Sequence, residues 1–147
     1  MIDVRIKKLN ENAKVPARAT DGSAGADLYA VCDGNSVEIK PHETVLIHTG
    51  LAFEIPDGYV GLVFARSSLG TKRGLAPANK VGVIDSDYRG EVMVSLHNHS
   101  DISQSIDDSE RIAQLVIVPF LKADFKLSDE LDDTSRGSGG FGSTGTK

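Results

Sequence analysis

Seven short stretches of this chain, 3–9, 36–40, 44–55, 59–65, 80–84, 91–97 and 111–120, alternate apolar with polar residues and are separated by turn residues. A period of two sends successive side chains to opposite faces, as in a strand with one buried side, whereas a helix repeats every 3.6 residues. The series is punctuated by Pro41-His42, Pro56-Asp57-Gly58 and Asp101-Ile102-Ser103. Proline presets φ there, glycine accepts positive φ, and Asp and Ser bond nearby backbone. No window sustains a helical period for several turns, so the crossover helices of a βαβ sheet are missing. These features predict an all-β barrel or sandwich. One short helix is expected from Ser67 or Ser68, with serine as N-cap and 69–72 closing a turn before Gly74.

A chain of 147 residues, 39% hydrophobic, suits one domain with one core. We expect residues 1–127 to form that domain. From Ser128 the composition changes: Asp129, Glu130, Asp132 and Asp133 make an acidic link, followed by a tail with five glycines between Arg136 and Lys147. Such a strip cannot join a core by itself and reads either as a disordered end or as a segment closing over a ligand. Arg136 and Phe141, an anion-binding side chain and an aromatic, favour the second reading of 128–147.

The net charge of −5 argues against a nucleic-acid binder, since phosphate-backbone affinity needs clustered Lys and Arg. Any phosphate site must be local. Cys32 is the only cysteine, which excludes an internal disulfide framework and a four-ligand zinc site of Cys and His; a packing role fits it better than a nucleophile. The first eight residues lack a basic segment followed by an apolar core, and no apolar run reaches membrane length. A soluble, cytoplasmic protein without membrane contact is expected. Two motif matches mislead. Gly137, Gly139 and Gly142 spell a dinucleotide fingerprint, but that motif needs a strand before it and a helix after it. Gly145-Thr146-Lys147 likewise lacks the spacing of a P-loop.

Five separated segments carry more information together than singly: 24–28 (AGADL), 66–70 (RSSLG), 79–90, 111–115 (RIAQL) and 136–145. In this order and spacing they resemble the five motifs of the trimeric dUTP pyrophosphatase (dUTPase) family. The resemblance implies a distorted jelly-roll β-barrel, three copies around a threefold axis, and active sites completed by three chains with a swapped C-terminal tail. It also implies hydrolysis of dUTP to dUMP and pyrophosphate, which keeps uracil out of DNA and supplies dUMP for dTMP synthesis.

Taken alone, the third segment is a hairpin, because Asp, Ser and Gly between apolar stretches are ordinary turn chemistry. By resemblance Asp85 is the base that orients and deprotonates the attacking water. Tyr88 would lie under the deoxyribose and exclude a 2′-hydroxyl, although cross-strand packing is the commoner fate of such a tyrosine. Asn79, Val83 and Met93 match positions lining the uracil and sugar pocket, partly through backbone groups.

Arg66 can fork onto phosphate oxygens, and Ser67, Ser68 and the backbone N–H groups beside them would face the same anion. Alone, Arg66 would read as a surface ion pair. Gln114 stands in an apolar strand, where its amide must be hydrogen-bonded, and the resemblance assigns it to the triphosphate. Asp27 takes a supporting polar role, with a turn cap as the alternative. The chain departs from the family at Ala65, at Ser68, and at Ser109-Glu110, where Gly-Asp is common. Arg136, Phe141, Gly142, Ser143 and Thr144 would close over the substrate, Phe141 on uracil and the others around the phosphates. No carboxylate cluster marks a metal cage, which fits Mg²⁺ arriving with the phosphates. The rival readings are dCTP deamination by a relative with the same barrel, and a nonenzymatic jelly-roll module.

Overall fold

The computed structural model describes residues 2–140. Their element order is β1 (Arg5–Lys8), β2 (Ala26–Tyr29), β3 (Ser36–Ile39), β4 (Thr44–Glu54), β5 (Tyr59–Phe64), α1 (Ser67–Arg73), β6 (Leu75–Pro77), β7 (Gly82–Ile84), β8 (Glu91–Asn98), β9 (Gln104–Asp107) and β10 (Arg111–Pro119). The strands pair antiparallel, as β1-β4-β8-β6 in one sheet, β2-β10-β5-β7 in a second, and β3-β9 as a two-stranded ribbon. The expected all-β class holds.

The period of two sets which side chains enter the core. Along β8, Val92, Val94, Leu96 and Asn98 are buried, with half-exposed residues between them. They meet Ile47 and Leu51 of β4, Leu28 of β2, Ile112 of β10, and Ile39 and Ile106 of the ribbon, all nearly without solvent contact. Each such side chain removed from water is worth about 1.5–3 kcal/mol. Asn98 is fully buried among them. Its amide nitrogen donates to the carbonyls of Ile39, Lys40 and Ile102, and its Oδ1 accepts from the Ser100 N–H and Oγ.

Three strands escaped the alternation pattern. β2 is four residues long and contains Asp27. β6 is three residues ending in Pro77, tolerated because β6 is a sheet edge and Pro77 has no N–H to give. β9 pairs only with β3 and lies in a turn-rich stretch. The turn at 85–90 corrects the hairpin reading: β7 pairs with β5, whereas β8 pairs with β4 and β6. The turn therefore passes the chain from one sheet to the other, and Tyr88 does not stand in a strand.

The helix starts at Ser67, but its capping differs from expectation. The N-cap is Arg66, and no side chain caps the helix end. Serine at 67 is already helical, so neither candidate serine acts as the cap. Gly74 closes the other end in the left-handed conformation (φ 67°), its N–H bonded to the carbonyl of Leu69, which a residue with a Cβ reaches only at a cost. Leu69 is the helix's buried residue.

After β10 the described chain forms no further strand up to residue 140. Leu121, Phe125, Leu127 and Leu131 are at least 90% exposed. No helix among the described residues is long and apolar enough to cross a membrane.

Candidate active site

Two clefts collect most of the expected site residues. The first, about 380 Å³, lies where β2, β10 and β5 run side by side, and its walls include Gly25, Asp27, Phe64, Arg66, Ser67 and Gln114. Register explains the grouping, since Gln114 is opposite Asp27 on one side and Phe64 on the other. The chain leaves β5 through Ala65 and Arg66 directly into α1. The Asp27 side chain is only 14% exposed, so its charge requires partners. Its Oδ1 accepts from Arg66 Nε at 2.8 Å and its Oδ2 from Arg111 Nη1 at 3.4 Å. This gives Asp27 a definite local task, holding two guanidinium groups, rather than capping a turn. Arg66 Nη1 has a long 3.5 Å contact with Ser68 Oγ, which leaves that end of the fork weakly engaged.

Gln114 satisfies half of its amide within the chain: Nε2 donates to the Ala65 carbonyl at 2.9 Å. Its side chain lies against Gly25, where a Cβ would come within 2.6 Å of Gln114 Oε1. Glycine at 25 is therefore a matter of space.

The second cleft, about 230 Å³, is bounded by Leu46, Val83, Asp85, Tyr88, Glu91 and Met93. Asp85 follows β7 directly and is exposed. Tyr88 folds back over the turn: its Oη donates to the Glu91 carbonyl at 3.0 Å. A Cβ on Gly90 would collide with the Tyr88 Oη. Arg89 fastens the same turn, its Nη1 donating to the carbonyls of Ser86 (2.6 Å) and Tyr88 (3.0 Å). Leu46, Val83 and Tyr88 are 51%, 59% and 43% exposed, an unusual share of apolar surface in one small cleft.

Leu46 and Glu91 were missed by the sequence reading. Leu46 left a signal, as a large apolar residue at an outward position of an alternating strand. Glu91 did not, because its role depends on a contact far in sequence: Oε1 accepts from the Gly50 N–H at 2.7 Å and Oε2 pairs with His48 Nδ1 at 2.9 Å. These bonds bracket the register shift between His48 and Ala52.

The structure does not bring every expected residue to a cleft wall. Ser68 is exposed beside Arg66, Asn79 is exposed in the turn before β7, and Arg136 is exposed in a turn near the end of the described chain. Phe141, Gly142, Ser143 and Thr144 lie outside the described residues. The two clefts share no lining residue. Among the described residues no group of three or more His, Cys, Asp or Glu side chains could hold a metal ion. Burial, followed by Asp108 and other nearby carboxylates, pushes the Cys32 thiol up, which opposes thiolate formation and leaves cysteine as packing.

The departure at Ser109 has a conformational cost. Its φ is 64°, in the left-handed region, where a Cβ is disfavoured by about 1–2 kcal/mol. Ser109→Gly should raise the melting temperature by about 2–4 °C, as about 1 kcal/mol does in a domain of this size. Thermal denaturation monitored by circular dichroism checks it, and an unchanged or lower midpoint would contradict the strain.

The family model for dUTPase matches residues 11–145. The chain belongs to the dUTPase family. It is 50% identical to the deoxyuridine 5'-triphosphate nucleotidohydrolase of Hahella chejuensis, covering 100% of this chain and 97% of that protein. Its identity to the enzyme of the same name from Nautilia profundicola is 51%, over 97% of this chain and 98% of that one. Among solved structures, a mutant dUTPase of Staphylococcus bacteriophage 80alpha with dUpNHpp superposes with a TM-score of 0.89 at 30% identity, covering 99% of this chain and all of that one. A mutant dUTPase of phage phi11 of S. aureus, described with a structural Mg(II) ion, gives 0.78 at 28% identity over 88% and 98%. Fold and dUTPase membership thus agree with the jelly-roll expectation.

Proposed function

We propose that the chain hydrolyses dUTP to dUMP and pyrophosphate, with the nucleoside in the Leu46–Tyr88–Met93 cleft and the phosphates against Arg66, Ser67 and Gln114. The observation that carries this reading is Asp85, an exposed carboxylate on the rim of an apolar cleft walled by a tyrosine. A carboxylate so situated can accept a proton from water and aim that water at the α-phosphorus. The apolar wall buries base and sugar, and the tyrosine ring leaves little space beside C2′. Asn79 and Met93 contribute to the base side, Val83 through its backbone as well as its side chain. Arg66 and Gln114 supply donors for phosphate oxygens, while Asp27 holds Arg66 in place. Ser68 and Arg136 complete the anion's surroundings, and Phe141, Gly142 and Ser143 of the 128–147 segment close over the bound nucleotide.

The donor set fits a cation carried by the substrate. Asp27, the carboxylate in the phosphate cleft, is engaged by two arginines, so a hard cation would find its oxygen ligands chiefly on the triphosphate and water. Mg²⁺ bound in this way would neutralise phosphate charge for in-line displacement. Membership of the dUTPase family supports a homotrimer, and the separate linings of the two clefts suit an arrangement in which clefts of different copies face each other. Nothing in this reading involves nucleic acid or membrane, and it suits the cytoplasm.

Pyrophosphate release with Mg²⁺ from dUTP, dCTP, dTTP and UTP in parallel, with a chelator control, tests the proposal. Turnover confined to dUTP and abolished by the chelator is expected. Ammonia from dCTP would move the chain to the deaminase branch, and no turnover at all would favour a nonenzymatic barrel. Tyr88→Ala should chiefly relax the discrimination between dUTP and UTP, because the ring that occupies the space near C2′ is gone. An equal loss of kcat/KM for both nucleotides would remove Tyr88 from sugar selection.

A further inference from the structure

We propose that Arg73 and Glu110 form a positioning clamp that sets Arg66 in the phosphate cleft; this rests on the dUTP-hydrolysing reading of that cleft. Arg73 is the last residue of α1, and its guanidinium uses three nitrogens in three directions. Nε donates to Gln104 Oε1 at 3.1 Å, Nη1 to Glu110 Oε1 at 2.5 Å, and Nη2 to the Ser105 carbonyl. Glu110 is itself fixed, because its Oε2 accepts from the Asp107 N–H at 3.0 Å and its carbonyl accepts from the Ala30 N–H.

The next residue, Arg111, reaches Asp27, which holds Arg66. Arg66 is the N-cap of α1. Two consecutive residues, Glu110 just before β10 and Arg111 at its start, therefore hold both ends of one helix, Glu110 its last residue directly and Arg111 its cap through Asp27. The helix needs such support. It has seven residues, no side-chain cap and one buried residue, and isolated helices of that length do not persist in water. Arg73 and Glu110 do not line the cleft, so the clamp acts through Arg66 and touches no substrate. A lysine at 73 cannot replace it, since an ammonium lacks the planar fork that serves three acceptors at once.

The test uses the full-length protein as wild type, Arg73→Lys and Glu110→Ala. Loss of a charge-assisted bond that orients a binding group should raise KM for dUTP about tenfold in each variant. The inhibition constant of deoxyuridine, which carries no phosphate for Arg66 to hold, should stay within about twofold. Amide hydrogen exchange of the substrate-free proteins should accelerate across α1 and remain unchanged in β8. Wild-type KM with wild-type exchange in α1 would overturn the clamp. So would equal weakening of deoxyuridine and dUTP with faster exchange in β8, the pattern of general destabilisation. Failure of the wild type to turn over dUTP would remove the functional reading separately, and the exchange of α1 would still decide whether Arg73 and Glu110 hold the helix.

Discussion

Asp85→Asn should lower kcat for dUTP by about 10²–10⁴, the usual contribution of a positioned general base, while leaving the protein folded and able to bind a nonhydrolysable dUTP analogue. The expectation follows from what Asp85 does and does not touch. It is exposed at the end of β7, so removing its charge leaves no buried group without a partner and should not shift the melting temperature appreciably. The turn that carries it is fastened by other groups, Arg89 on two carbonyls and Tyr88 on the Glu91 carbonyl. Asparagine keeps the shape and a hydrogen-bonding oxygen but cannot take the proton. Steady-state kinetics, analogue titration and thermal denaturation of one preparation separate the cases. A kcat within a few-fold of wild type would mean that another group activates the water, and lost analogue binding would make Asp85 a binding residue instead.

Much of this was legible in the sequence for a simple reason: strands with one buried face leave a period of two. β4, β5, β8 and β10 did so, and they make up the centres of both large sheets. What failed to show were elements whose stability comes from distant partners. β2 is four residues, yet it lies against β10 and carries Asp27 into the cleft beside Arg66 and Gln114. The 85–90 turn has the composition of a hairpin, and composition cannot reveal that its flanking strands pair with β5 on one side and with β4 and β6 on the other. The same distinction runs through the site. Asp27, Arg66, Asp85, Tyr88 and Gln114, which line the two clefts, all stand in the five motif segments. Leu46 and Glu91 belong to no such motif, and Arg73 and Glu110 meet only because a helix end and a β-turn 37 residues apart fold together. Ser109 illustrates the reverse: the departure from glycine was visible, but its meaning emerged only from φ.

Asn98→Leu should be the most destabilising single change outside the site, costing about 3–5 kcal/mol, because each buried polar group left unpaired carries a penalty of about 1–3 kcal/mol. Leucine has the same branching as asparagine and is bulkier and more apolar, so area burial alone predicts a gain at this fully buried position. Hydrogen bonding decides otherwise. The Asn98 amide serves the carbonyls of Ile39, Lys40 and Ile102, and its oxygen serves Ser100 twice. One side chain thereby joins the end of β3, the end of β8 and the loop leading to β9, where no sheet ladder connects them. Asn98→Asp should fare no better, since a carboxylate would face three carbonyl oxygens. Thr49 provides the comparison: it is equally buried but makes one such bond, to the Val92 carbonyl, and Thr49→Val should cost about 1 kcal/mol. For a chain of this size the Asn98→Leu midpoint should fall by about 10 °C or more, with kcat at low temperature retained because Asn98 lines neither cleft. A midpoint near that of Thr49→Val would mean that the 98–104 loop finds other partners, and that β3 and β9 are held by their own ladder and by Ile39 and Ile106 in the core.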